Sequence, residues 1–285
     1  MLLSDEAVSV FIDGTLTDPQ LDHPEGLAVH PDGSVWCGGE RGQIFRVEPD
    51  GSGLTEVAST GGFSLGMAFD VTAEHLYVCD LKHAAVFRVE TGSGRVERFA
   101  DGAPAGAFKI PNYPAFDAEG QLYISDSHAF GVPGPGIWRL DREGRAELWY
   151  AHDVAFANGL AVAADGRHLY VAETFASKVF RIAIRDDGSA GTREEVAELA
   201  GSLPDGLALD LDGNIYVGCY EPSRVLRLSA GTVQTLYHDV TAHTLAHPTN
   251  LAFRGTTMFT SNLGRWHLTR LEVGVQGLPL PVRAA

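Results

Sequence analysis

The chain has 285 residues, 45% of them hydrophobic and 20% charged, with 33 glycines and a formal net charge of −16. Such a composition supports a sizeable buried core interrupted by many tight turns, which favours β structure. The acidic balance argues against nucleic acid and anionic lipid as partners, because both are held by clustered Lys and Arg. No apolar run approaches the roughly 20 residues of a membrane-spanning helix, so no membrane contact is expected. The opening MLLSDEAVSV has no basic region followed by an apolar one, so a cytoplasmic location is expected. Cys37, Cys79 and Cys219 lack CxxC spacing and read as buried free thiols.

In chain order, the first candidate strand is AVSVFIDG, residues 7–14. Six units then follow, each opened by one phrase: a variable residue, usually before glycine, and a short apolar run. The copies are EGLAV (25–29), LGMAF (65–69), NYPAF (112–116), NGLAV (158–162), DGLAL (205–209) and TNLAF (249–253), spaced 40 to 47 residues apart. Each leads through a turn to a second apolar run holding an aromatic: VWC, LYV, LYI, LYV, IYV and MFT. Asp-Gly and Glu-Gly pairs in several of these turns supply the positive φ that hairpins need. A third element alternates apolar, Arg, apolar at Arg46, Arg88, Arg139, Arg181, Arg227 and Arg270. This period of two indicates strands with one buried face, and the shared register predicts outward arginines whose stems cover neighbouring strands while their heads pair with acids.

A fourth strand closes five units, as LTEVAST, VERFADG, AELWYAHD, EEVAELAG and VQTLYHD, but none follows the sixth. AVSVFIDG has the form of the missing copy. The pattern predicts a single all-β domain over residues 1–285, a six-bladed β-propeller whose ring is closed by the N-terminal strand completing the last blade. Segments 128–136 and 240–248 are expected to be loops covering one face.

In a propeller the first strand of each blade lines the central channel, so the leading residues of the six phrases form a ring: Glu25, Leu65, Asn112, Asn158, Asp205 and Thr249. An Asn-Gly pair taken alone is ordinary turn chemistry. Glu25, Asn112, Asn158 and Asp205 together are not, since converging carboxylates at the head of apolar strands repel and lose hydration unless a cation compensates. With no Cys or His among them, the set favours calcium or another hard divalent ion over a thiolate zinc site. Glu173 in VAETF is a candidate substrate-binding carboxylate, with a solvated strand end as the alternative. His128 in the third-unit loop is a candidate lid residue. His267 reads as structural beside Trp266, and His23 and His247 precede proline at equivalent places, which suggests repeat-related packing.

PEGLAVHPDG, FANGLAV with AADG, LPDGLALDLDGNIYV and HPTNLAF with TSNLGRWHLTRLEV resemble the SMP-30/gluconolactonase/luciferin-regenerating-enzyme-like family over nearly the whole chain. The resemblance implies a six-bladed propeller with one catalytic divalent cation in its channel, acting on sugar lactones or related cyclic esters. It implies Glu25, Asn158 and Asp205 as metal ligands, and Asn112 near the metal in contact with substrate or water, although NYPAF departs from the family's usual Asn-Asp or Asn-Gly wording. Calcium is the first expectation, with zinc, magnesium or manganese as alternatives. Asp205 is the candidate general base, with cation-activated water acting alone as the competing mechanism, and Asn112 is expected to donate an amide hydrogen to a small-molecule substrate. Fluorophosphatase-like and paraoxonase-like propellers use a similar ring of acids and amides, so a phosphotriesterase is the enzymatic alternative. A binding propeller with a structural cation is the non-enzymatic one. Strictosidine-synthase-like propellers share the fold but lack this metal site, so the intact ring argues against them.

Overall fold

The six sequence units fold as six four-stranded sheets in a computed structural model, which describes residues 1–104 and 106–280. In five sheets the strands follow chain order, and in all six, neighbouring strands pair antiparallel. Blade four is representative, with strands Ala157–Val162, His168–Glu173, Lys178–Ile184 and Ala190–Glu198. Blade six contains Pro248–Arg254, Thr257–Asn262 and His267–Glu272, and its fourth strand is Val8–Asp13. Val8 opposes Leu271 and Asp13 opposes His267, so the displaced AVSVFIDG copy closes a β-propeller as its form predicts. Hairpin turns at Gly33 and Gly213 take φ of +89° and +79°, a left-handed conformation that glycine adopts without steric penalty.

The core is distributed between blades. Trp36, Ile44, Met67 and Leu76 pack blade one against blade two, and Ile12, Leu27, Phe45, Phe259 and Leu268 pack blade six against blade one. Each fully buried aliphatic or phenylalanine side chain contributes about 1.5–3 kcal/mol, so these seams supply most of the attraction holding the ring together. Across the second and third strands an aromatic faces each arginine, as in Tyr77 opposite Arg88 and Tyr123 opposite Arg139. The arginine heads reach acids: Arg46 pairs with Glu48, Arg88 with Glu97, Arg139 with Glu147, Arg181 with Glu194 and Arg270 with Glu272. Arg227 instead opposes Gln234. Partly exposed pairs of this kind add little individually, and packing of the stems over the aromatics matters more.

Two details position the channel residues. Ala157 opposes Glu173 and Leu160 opposes Val171, so Asn158 and Gly159 together face one residue and form a bulge. Bulges re-aim side chains, and similar register shifts interrupt the inner strands of blades two, three, five and six. The Asn158–Gly159 pair is therefore not a turn. Its glycine answers a different need: a β-carbon at Gly159 would lie 2.3 Å from the Asp205 carbonyl oxygen, and one at Gly26 would lie 2.1 Å from that of Leu65. Neighbouring inner strands touch at these positions, so only glycine fits.

The loops are shorter than the sequence suggests. Gly134–Leu140 is already strand, and Pro248 begins the inner strand of blade six. The expected strand VERFADG ends at Ala100, and Gly102–Ala103 instead pairs with Gly106–Ala107 between blades two and three. At one end of the channel, Leu278, Pro279 and Leu280 join an apolar lining that includes Leu27, Met67 and Leu160. The Leu278 N–H donates to the Leu209 carbonyl at 2.8 Å, fixing this segment across the opening. All three cysteines are free and buried, and among the described residues no helix is long and apolar enough to cross a membrane.

Candidate functional site

At the other end of the channel Glu25, Asn112, Asn158 and Asp205 line one cavity of about 300 Å³. All four are buried. Asn112 Oδ1, Asn158 Oδ1 and Asp205 Oδ1 have no hydrogen-bond partner. Burial, then the negative charge of Asp205, then that of Glu40, pushes the Glu25 carboxyl well above the usual carboxylate range. Burial likewise raises Asp205, against a smaller opposing effect of the neighbouring Asn158 amide. Unpaired buried oxygens each cost about 1–3 kcal/mol, and more when charged. Their common surface is one that a hard cation with oxygen ligands would satisfy, so the residues fit such an ion.

The orientation of the two amides follows from hydroxyl groups behind them. Asn158 Nδ2 donates to Thr174 Oγ1 at 3.2 Å, and that hydroxyl donates to the Pro204 carbonyl at 2.7 Å. Asn112 Nδ2 donates to Ser127 Oγ at 3.0 Å, and Ser127 donates to the Ala157 carbonyl at 2.7 Å. Each hydroxyl has one proton, committed to a carbonyl of the next blade, so it meets the amide as an acceptor. The amide must turn its NH₂ toward the hydroxyl, which leaves its oxygen uncommitted. Thr249 stands in the same ring but takes a bracing role: its hydroxyl, with that of Ser261, donates to the Glu25 carbonyl. Thr174→Val removes the group that orients Asn158. We expect cation affinity to fall about 10–100-fold with the fold retained; unchanged affinity by titration calorimetry would show that Thr174 does not set the amide.

The site does not gather every residue singled out from the sequence. Glu173 is buried, but its Oε1 accepts the Ala155 N–H at 2.8 Å and its Oε2 pairs with Arg193. Asp126 accepts from Lys109 and Ile110 N–H groups, and Asn262 Oδ1 accepts from Ala246 N–H, at matching places in their blades. These side chains hold the segments entering each inner strand, and Glu173 does not line the cavity. His128 sits outside the lining with φ of +62°, its N–H donating to Asp126. His23 packs edge-on against Trp266 and His247 stacks on Tyr220, so each meets an aromatic of the preceding blade but not at equivalent positions. Ser127 and Thr174 were missed. Their available signal was a hydroxyl immediately after the second strand in the two blades that carry a channel asparagine.

Residues 42–261 match the SMP-30/Gluconolactonase/LRE-like region family, and residues 15–47 give a short second match to the strictosidine synthase-like N-terminal family. The chain is 31% identical over 116 residues to the lactonase drp35 of Staphylococcus aureus, an alignment taking in 39% of this chain. It spans only 36% of that relative's length. The fold resembles a gluconolactonase from Xanthomonas campestris at 19% identity and TM-score 0.76, covering 95% of this chain and 89% of that one. It also resembles the calcium-binding protein regucalcin from Agrobacterium tumefaciens at 16% identity and TM-score 0.74, covering 93% and 96% respectively. The second family match is confined to the N-terminal region and the first blade, whereas the first runs from blade one into blade six; the chain belongs to the SMP-30/Gluconolactonase/LRE-like family.

Proposed function

We propose that this protein is a divalent-cation-dependent hydrolase that opens a lactone or related cyclic ester. The observation carrying this reading is the set of uncommitted buried oxygens from Asn112, Asn158 and Asp205, beside Glu25, on a single cavity. Glu25, Asn158 and Asp205 would hold the ion, with calcium the first choice and zinc, magnesium or manganese as alternatives. When bound, the ion would polarise a carbonyl and acidify water. Asp205 would accept the proton of the attacking water as it adds to the carbonyl carbon. The acyl C–O bond then breaks, and the ring oxygen leaves with that proton to give a hydroxy acid. Asn112 turns its NH₂ to Ser127 and leaves its oxygen uncommitted, so it would accept a hydrogen from water in place of the donation expected from sequence. The lactonase, gluconolactonase and calcium-binding relatives support the reading.

The test compares aldonolactones, acyl lactones and a fluorophosphate, with chelator and with calcium restored, in the parent protein and Asn158→Ala. Lactone opening should vanish on chelation and return with the ion, and the variant should lose ion and activity together. Activity that survives chelation, or a variant with full rate and metal content, rejects the mechanism. Preference for the fluorophosphate would assign a phosphotriesterase, and tight ion binding without turnover a binding propeller.

A further inference from the structure

Polar groups of the cavity are confined to one part of its surface. Apart from Glu25, Asn112, Asn158 and Asp205, the polar side chains on its lining are those of Thr174, whose hydroxyl is committed to Pro204, and Tyr220. No lysine or arginine lines it among the described residues. The remaining surface is hydrocarbon. Phe63, Ile110, Phe156 and Leu203 each lie two residues before a channel position, so the repeat itself builds an apolar wall. On one side Phe156 meets Phe175 with ring centroids 4.7 Å apart and Phe130 at 5.0 Å. Phe130 and Phe175 are 74% and 43% exposed, so this aromatic shelf runs from the cavity into solvent. Exposed aromatic rings adjoining an apolar cavity mark a surface that gains by covering hydrocarbon.

Resting on the reading of the site as a lactone hydrolase, we propose that its substrate class is lactones bearing a hydrocarbon chain rather than polyhydroxylated sugar lactones. The ester group would meet the acids and amides while the chain lies along Phe130, Phe156 and Phe175. A sugar lactone would turn several hydroxyls toward phenylalanine and leucine side chains that offer no partner, so each would lose its hydration uncompensated. An alkyl chain gives up no hydrogen bonds to water on entering and releases water from the phenylalanine faces. The reaction consumes one water per ring and yields a hydroxy acid carrying the same chain.

The experiment measures kcat/KM with calcium for δ-lactones of increasing alkyl length and for gluconolactone. It also measures calorimetric binding of δ-lactams, which resist opening, with alkyl and with polyhydroxylated substituents. We expect kcat/KM to rise about fourfold per methylene until the shelf is covered, and the alkyl lactams to bind more tightly than the polyhydroxylated one. Phe130→Ala with Phe175→Ala, at exposed positions, should lower the gain per methylene below about twofold with cation affinity unchanged. Equal or faster opening of gluconolactone, or a double variant with the full chain-length gain, overturns the proposal while leaving the hydrolase reading intact. Absence of any lactone turnover rejects the hydrolase reading, and the lactams then decide the wall's preference: a polyhydroxylated lactam binding as tightly as the alkyl ones overturns it.

Discussion

Asp205→Asn is expected to lower kcat for lactone opening by about 10²–10⁴-fold at saturating calcium, the range associated with loss of a positioned general base. The substitution keeps the size and shape of the side chain and leaves an oxygen donor, and Asn158 already supplies an amide in the same register of the next blade. What disappears is the capacity to take a proton. Asp205 is buried with one oxygen unpaired, and its surroundings favour the protonated form more than water does. It must be ionised to act as the base. The acidic limb of the kcat/KM profile should vanish with it. A fall of less than tenfold, with the limb retained, would mean that the attacking water needs no carboxylate and that the ion alone activates it.

The second large effect concerns stability without the ion. Glu25 and Asp205 both have carboxyls raised above their ordinary values, chiefly by burial. A raised carboxyl is protonated more readily in the folded chain than in the unfolded one, so stability falls as pH rises above the unfolded value near 4. The loss stops once the folded value is passed, which for Asp205 is about 7. Each unit of upward shift corresponds to about 1.4 kcal/mol. Denaturation midpoints of the chelated protein should therefore decline as pH rises from about 4, with the Asp205 contribution complete near 7. Calcium at about 1,000 times its Kd adds roughly 4 kcal/mol at neutral pH and should abolish most of the decline. A chelated protein whose stability rises over that window would contradict the raising of two carboxyls by burial.

Much of the fold was legible because the chain states it six times. The channel-lining position of Asn158 could be recognised only beside Glu25, Asn112 and Asp205, since one Asn-Gly pair is indistinguishable from a turn, and its bulge was not legible at all. The closing strand was legible for the same reason, as a copy out of place. Glu173 was not: an acid at a strand end reads alike whether it faces a cavity or accepts the N–H of Ala155. Ser127 and Thr174 act through partners 15 and 16 residues away, a separation with no periodic signature. The apolar wall was present at a fixed offset from the ring, in Phe63, Ile110, Phe156 and Leu203, yet hydrophobic residues flanking strands look like core until the channel gives them something to face.

The pairing of Val8–Asp13 with His267–Glu272 also dictates an order of events during synthesis and folding. Blades one to five draw their sheet contacts from stretches of roughly 40 residues, whose loop-closure entropy is small. The sixth must wait for a strand made long before its partners, with all the other blades between them in the chain. Until then Ile12 and the facing Phe259 and Leu268 lack their common seam, and the sheet edge along His267–Glu272 is open to strands from other molecules. Closure is the strand pairing of greatest sequence separation, the kind that forms slowly because its loop-closure entropy comes first. Conditions that crowd nascent chains should therefore aggregate this protein through its last blade before they disturb its first.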